Sequence, residues 1–440
     1  MHSTGWSRAR LSGVLVRRDR RWPPLAGGPS EVPSYLEFFA GGGMVRAGLG
    51  GRWKCHFAND FDPLKVQVYA DNWGEDEILE DDIHKVEADD LGRRADLAWA
   101  SFPCQDLSTA GNGLGLGQAS GTNRTRSGTF WAFIDLMKDL RANNRLPRIV
   151  VLENVVGLLT INGGEEFKAV IAALDRLGMR AGAAVVDARH FVPQSRQRVF
   201  IVAVSKAAKV AAELVREDPH PAWHPDPLVR AVEKLSPQCR EHWMWFNLGA
   251  APELKKTLNK IVKDKPVGVE WHSAAETKRL IAMMSVAHKQ KLSEAKKSGK
   301  RVVGTLSLRM RPSNGKTVQR TEICFRGLAG CLRTPKGGGS RPRVIVVKGT
   351  NVRTRLLAPM EAASLMGLKE NYQLPEIYEY AFRVIGDGVA VPVVAFLRTK
   401  LLTPLLRSVK KSNAANVRNP KRGARSSSGR SRREQLELRI

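Results

Sequence analysis

Six short apolar runs, at 35–39, 55–59, 97–100, 149–153, 183–187 and 199–204, recur through the first half of the chain with helical patterns between them. Runs of this length bounded by turn residues read as strands, and strands alternating with helices build a parallel sheet from βαβ units. The chain is therefore expected to be α/β, with a mostly parallel sheet over 34–204. Functional residues should cluster just beyond the strand ends, where open sheets of this kind bind ligands. Ahead of the sheet, 1–33 reads as a flexible basic arm rich in Arg, Pro and Gly. From 205 to 352 the pattern breaks down: the stretch is basic, holds Trp223, Trp243, Trp245 and Trp271, and carries the turn-rich Arg333-Thr-Pro-Lys-Gly-Gly-Gly-Ser-Arg341. A smaller, irregular domain or large insertion is expected there. Regular character returns over 353–405, with helical segments at 355–368 and 384–397, and 406–440 is too polar to pack and is expected to be disordered.

Tyr35-Leu-Glu-Phe-Phe39 runs into Ala40-Gly-Gly-Gly43 and then Met44-Val-Arg-Ala-Gly48, a strand, a glycine turn and a helix start. Glycine lets the backbone approach a ligand where a Cβ would clash, and a helix N-terminus offers unpaired amides to a negative group. A tight connection alone would use the same residues. Asn59-Asp60 follows the next strand, 17 residues after Gly43, close to the offset of about 20 at which an acid reaches ribose hydroxyls. Asp82, a little further on, could accept a bond from an adenine amino group. The dinucleotide spacing G-x-G-x-x-G is not met, because Met44, Val45, Arg46 and Ala47 separate Gly43 from Gly48. The ligand expected is an adenosine carrier that need not be a dinucleotide.

The net charge of +28 is not confined to the ends: 407–440 holds eleven Lys/Arg against two Glu and 1–33 six Arg against two acids, leaving more than half on the body. A basic body of this size favours a polyanion through counterion release, and nucleic acid is the obvious one. The five cysteines are odd in number and form no CxxC pair, which argues against a disulfide framework and a structural metal site. No apolar run approaches the roughly 18 residues that span a bilayer and no secretory stretch opens the chain, so a cytoplasmic, nucleoid-associated protein with no membrane partner is expected.

Pro103-Cys104-Gln105 lies in the loop after the strand at 97–100. An isolated cysteine is most often a small buried hydrophobe, but this one has company. The ordered set Phe39-Ala-Gly41-Gly-Gly43, Pro103-Cys104-Gln105, Glu153-Asn154-Val155, Gln194-Ser-Arg196-Gln-Arg198 and Gly386-Asp-Gly-Val389 resembles the DNA cytosine-5 methyltransferase family over about 35–204 and 353–398. The resemblance implies a Rossmann-like methyltransferase domain, a target-recognition region over 205–352, S-adenosylmethionine as cofactor and double-stranded DNA as substrate. It implies that Cys104 adds to carbon 6 of cytosine, because carbon 5 is too poor a nucleophile until the ring has been activated. Glu153 would donate a proton to ring nitrogen 3, Arg198 would hold the carbonyl oxygen, and Arg196 would fix the loop or a phosphate. Phe39, Gly41, Gly43, Asp60, Asp82 and Pro103 would line the cofactor pocket. Gln105 would sit on a loop closing over a flipped-out base, and Arg333 and Arg341 would meet the DNA. A monomer is implied, with a cognate restriction endonuclease as a possible partner and no metal. Three positions depart from the family pattern: Met44 for a glycine, Asp387 for asparagine, and Ala390-Val391-Pro392 for a Val-Pro-Pro run. Two rivals stand beside this reading: the same chemistry on tRNA, and an inactive fold that binds DNA without catalysis.

Overall fold

The structure, a computed structural model, describes residues 32–103, 116, 128–254, 256–313, 315–335 and 340–418. Its main sheet has seven strands: β1 (Ser34–Phe38), β2 (Lys54–Asp60), β3 (Ile78–Glu80), β4 (Leu97–Ala100), β5 (Ile149–Val155), β6 (Met179–Asp187) and β7 (Gln197–Ser205). They lie in the order β3-β2-β1-β4-β5-β7-β6. Helices α1 (Met44–Leu49), α2 (Pro63–Trp73), α3 (Thr129–Ala142) and α4 (Glu165–Arg176) run between them. The strands read as apolar runs because both faces are covered. Tyr35, Trp99 and Val151 pack into the core on one side, and Leu36, Ala98 and Val150 into the core on the other. Strand β1 pairs with β2 on one edge and β4 on the other. The strand order reverses there, opening a crevice beyond the carboxyl ends of β1 and β4.

All six expected runs are strands. The three-residue β3 is too short to show a period, and it is absent from the expected set. Strand β7 is antiparallel to both β5 and β6. The link at 188–196 is shorter than the dozen or so residues a parallel crossover needs, and an apolar run does not encode its own direction.

After β7 the chain forms the two-stranded pair β8 (Val215–Arg216) and β9 (Trp245–Phe246), with α5 (Asp226–Glu233) and α6 (Pro237–Glu241) between them. Helices α7 (Leu258–Ile261), α8 (Ala274–Ala282) and α9 (Val286–Lys297) then lead to a second sheet. Its strands are β10 (Arg301–Ser313), β11 (Lys316–Cys324), β12 (Arg343–Lys348) and β13 (Asn351–Leu356), antiparallel in the order β11-β10-β12-β13. The stretch expected to be irregular thus holds a regular sheet. Leu306, Ile323, Ile345 and Val347 face Leu280, Met284 and Leu292 in a separate small core, while Val303, Val344 and Val346 join the main one. In β11, Lys316-Thr-Val-Gln-Arg-Thr-Glu-Ile-Cys324, too few apolar residues remain to display the alternation.

The chain returns through α10 (Pro359–Leu365), α11 (Tyr378–Asp387), α12 (Val391–Leu397) and α13 (Thr403–Arg418), the last two joined by a wide π turn over Arg398–Leu402. Arg355 ends a strand where a helical segment is expected, and the helix begins at Pro359. Helix α13 runs through position 406, where the polar tail is expected to begin; Leu405, Leu406 and Val409 are buried. The stretch Tyr378–Lys411 is long and apolar enough to cross a bilayer by length and composition, contrary to the expectation that no such stretch exists. Half of its most apolar window is buried inside the protein, and Leu397, Leu401 and Leu405 belong to the main core. Helix α12 lies so close to α1 that a Cβ on Gly48 would come within 2.4 Å of Val394 Cβ.

Candidate active site

The glycine turn after β1 is shaped from below. Phe39, Gly41 and Gly43 have φ of 58°, 57° and 78°, left-handed values that glycine adopts at no steric cost and phenylalanine adopts only when held. Tyr372 Oη and Trp73 Nε1 both donate to Gly42 O, at 2.7 and 3.1 Å. A Cβ on Gly42 would meet Tyr372 Oη at 2.3 Å and one on Gly43 Trp73 Nε1 at 2.3 Å, whereas a Cβ on Gly41 would meet nothing within 4 Å. Gly42 and Gly43 are therefore packing requirements, and Gly41 borders open space.

Asp60, at the end of β2, accepts from Gly41 N at 2.8 Å and from Asp62 N at 3.0 Å. Burial pushes its carboxyl upward, against the opposing pull of Lys65 and the two amides. It holds the turn in shape from a position that is 5% exposed. Asp82 caps the turn that follows it, accepting from His84 N at 3.1 Å and lying 2.7 Å from His84 Nδ1. Burial raises its carboxyl, but the bonds from His84 outweigh that and leave it below the usual range. Between Asp60 and Asp62 stands Phe61, 65% exposed, a flat apolar surface just beyond the carboxyl end of β2. Sequence reasoning passed over it, although an aromatic between two acids in a turn is a visible signal.

Antiparallel β7 builds the second half of the site. In its register with β5, Arg198 stands opposite Val155 and Phe200 opposite Glu153, so Arg198 and Glu153 are diagonal neighbours. Arg198 Nε lies 3.1 Å from Glu153 Oε1, with the two side chains 13% and 9% exposed. A parallel β7 would have carried its amino end, and Arg198 with it, to the far edge of the sheet. Asn154 Nδ2 donates to Phe102 O at 3.1 Å, fastening the loop after β4 to the end of β5 at the residue before Pro103. Cys104 and Gln105 lie outside the described residues.

Arg196 is a clasp. It is 2% exposed and donates to Leu332 O at 2.9 Å, Gly386 O at 2.9 Å, Gly388 O at 2.5 Å and Cys331 Sγ at 3.3 Å. Gln194 beside it donates to Leu365 O at 2.9 Å and accepts from Leu332 N at 3.1 Å. These bonds join the β6–β7 link, the segment after β11 and the ends of α10 and α11. Burial raises the Cys331 thiol, but Arg196, Arg198 and Arg333 outweigh it and leave the thiol below its usual range. Gly386 permits a close approach: a Cβ there would lie 2.5 Å from Thr334 N and 2.7 Å from Arg333 C. Arg333, exposed, is thereby held beside the pocket. Arg341 is tied instead to Glu379 of α11, with its guanidinium 5.6 Å from the Tyr378 ring centroid. Asp387 joins the two halves, 2.8 Å from Lys65 Nζ on α2 and accepting from Thr334 Oγ1 at 3.1 Å.

Residues 34–403 match the family described as C-5 cytosine-specific DNA methylase. The chain is similar to type II methyltransferase M1.ScrFI of Lactococcus lactis subsp. cremoris, 25% identical over 378 residues that cover 85% of this chain and 79% of that protein. It is also similar to the DNA-cytosine methyltransferase of Escherichia coli K12, 26% identical over 420 residues that cover 87% and 80% of the two chains. Among solved structures, Entamoeba histolytica methyltransferase EhMeth superposes with a TM-score of 0.52 at 13% identity, covering 86% of this chain and 99% of that one, a likeness of fold.

Proposed function

The chain belongs to the C-5 cytosine-specific DNA methylase family and is a DNA (cytosine-5-)-methyltransferase; from that premise we propose that it methylates carbon 5 of cytosine within a particular DNA word, through a covalent Cys104 adduct with a flipped-out base. The observation that carries the reading is the Glu153–Arg198 pair, 3.1 Å apart, at the end of a strand that Asn154 fastens to the loop leading to Cys104. Bound S-adenosylmethionine supplies an electrophilic methyl group. Open space over Gly41, the exposed face of Phe61 and the acid Asp82 suit a ribose and an adenine, with Asp60 holding the Gly41 turn in shape from beneath and Phe39, Gly43 and Pro103 completing the cleft.

The Cys104 thiolate attacks carbon 6 of the ring, and electron density flows toward nitrogen 3. A protonated Glu153 donates there, and Arg198 turns from Glu153 to the carbonyl oxygen. Once carbon 5 is methylated, a water molecule takes its proton, the carbon 5–carbon 6 double bond re-forms as the thiolate departs, and nitrogen 3 returns its proton to Glu153. Arg196 acts by fixing the pocket wall, since its Nη1 and Nη2 are held by three backbone carbonyls. Rotating the base out of the duplex costs a few kcal/mol, which contacts from Gln105 and from phosphate-binding Arg333 help to recover. Arg341 would have to leave Glu379 to join them. The type II names of relatives support a cognate restriction endonuclease as partner. The enzyme is read as a cytoplasmic, nucleoid-associated monomer.

Labelled methyl transfer to duplex DNA and, in parallel, to tRNA tests this reading. Transfer to DNA, its loss in Cys104→Ser with DNA binding retained, and an adduct with 5-fluorocytosine DNA that survives denaturation are expected. Full activity in Cys104→Ser, or transfer to tRNA alone, would overturn it. Sequencing the methylated DNA reads out the word.

A further inference from the structure

The hairpin of β10 and β11 is longer than the sheet it belongs to. Strand β12 pairs with β10 only from Arg301 to Leu306, whereas β11 pairs with it from Thr305 to Ser313. The remainder of β10 runs on with β11 as a two-stranded ribbon, about 23 Å long at ~3.3 Å per residue. Leu308 still packs against the small core. Past it, Arg309, Met310, Arg311 and Pro312 are all exposed, so this part of the hairpin buries little apolar surface.

The pairing register sorts the side chains, because residues directly opposite each other in an antiparallel pair share a face and successive residues alternate. One face carries Ser307 opposite Glu322, Arg309 opposite Arg320, Arg311 opposite Val318, and Lys316. The other carries Leu308 opposite Thr321, Met310 opposite Gln319 and Pro312 opposite Thr317, with no charge. Four cations thus share a face with one acid, and Arg311 Nε already donates to that acid, reaching Glu322 Oε1 at 2.6 Å. Two arginines set directly opposite each other destabilise a hairpin. An electron-rich acceptor brought between them turns the repulsion into attraction.

The root of the ribbon lies at the candidate active site. Beyond Cys324, the end of β11, Ala329 N donates to Pro193 O at 2.8 Å and Ala329 O accepts from Ser195 N at 2.9 Å, on the link that carries Arg196. The chain from Cys324 to Ala329 reaches at most about 18 Å, so a duplex engaged at the pocket lies within reach of the ribbon.

We propose that this ribbon reads the DNA word: it enters the major groove with its basic face, and Arg309, at the middle of that face, meets a guanine. The major groove, about 12 Å wide, admits a two-stranded ribbon, and arginine bidentate to guanine O6 and N7 is the commonest specific contact made there. Lys316, at the turn end, meets phosphate. The inference rests on the reading of the chain as a methyltransferase that selects a DNA word, and it names a residue behind the choice.

The test compares the full chain with Arg309→Lys and Arg309→Gln. The kcat/KM for methyl transfer is measured on duplexes bearing the methylated word and on duplexes in which one base pair outside the target pair is replaced. Lysine keeps the charge and loses the planar fork. Both variants should fall at least about tenfold on the word, and both should lose discrimination at one G·C pair while keeping it elsewhere. S-adenosylmethionine affinity, read by calorimetry, should stay within about twofold. Urea midpoints should hold or rise, because the side chain is exposed and faces a like charge. A phosphate contact would instead leave Arg309→Lys near wild type and weaken Arg309→Gln alike on every duplex, with a shallower salt dependence. That pattern, or wild-type kcat/KM in Arg309→Gln, would overturn the proposal. A wild-type chain that transfers no methyl to DNA would defeat the reading of the site and the proposal with it, whereas an active wild type whose word preference survives in both variants defeats the role of Arg309 alone.

Discussion

Glu37 on β1 is fully buried, and neither of its carboxylate oxygens has a hydrogen-bond partner among the described residues. Burial pushes its carboxyl up to about 8, with Arg46 pulling down and Asp60 pushing up. The folded protein then keeps a proton that the unfolded chain releases near the ordinary carboxylate value. Between roughly pH 4.5 and 8 this group holds a proton in the native state that it loses in the unfolded one, so its contribution to stability should decline as pH rises through that window. Each unit of separation is worth ~1.4 kcal/mol. Half-buried His56 and buried His224, both pushed down to about 4, act in the opposite sense below pH 6.5, so the quantity to read is the urea midpoint of the wild type minus that of Glu37→Gln, which should fall as pH rises. A difference that does not change with pH would refute the assignment. In the sequence Glu37 is one acid in Tyr35-Leu-Glu-Phe-Phe39; nothing in that pentapeptide says whether its carboxylate meets solvent.

Among the elements, the return of the chain from the second sheet depends on one buried pair. Arg355 at the end of β13 donates to Glu361 of α10 through Nη1 at 2.7 Å and Nη2 at 2.6 Å, and the two side chains are 0% and 5% exposed. Glu361 also accepts from Lys263 N at 2.7 Å and Ala358 N at 3.0 Å, so the stretch around Lys263 and the one from Arg355 to Ala358 meet on its two oxygens. Removing one partner strands the other charge in the interior, and Glu361→Ala or Arg355→Ala should lose about 3–5 kcal/mol of unfolding free energy. A double variant replacing both by apolar residues should lose less than the two single losses added together, and additive losses in denaturant titrations would sink the account. The element itself was partly legible: the sequence reads the region as a helix, because Pro359 to Leu365 shows helical spacing. It does not show that Arg355 belongs to a strand, since that strand exists by pairing with β12.

For the molecule as a whole, part of the basic charge lies in the segment after Arg418. Residues 419–440 hold seven Lys/Arg against two Glu, while Leu405, Leu406 and Val409 are in the main core. A chain ending near 405 would cut that core, so the informative truncation ends at Arg418. It should leave kcat unchanged and make DNA binding less dependent on salt, with the slope of log K against log salt shallower by about 0.9 for each phosphate that the removed segment neutralises. An unchanged slope would show that those charges do not reach the DNA.

What the sequence by itself determined is what can be carried locally. Apolar runs give strands, a glycine turn gives a place where backbone meets ligand, and five short motifs in a fixed order give the reaction class. The tertiary structure alone decided how those pieces meet. The antiparallel course of β7 puts Arg198 diagonally beside Glu153. Asp60 turns inward to hold Gly41, and Arg196 grips three distant carbonyls. Cys331, which has no motif of its own, comes to rest against Arg196. The physical reason is that strand direction, burial and hydrogen-bond partnership are relations between segments far apart in the chain, set when the cores close, whereas a motif records only the residues within its own few positions.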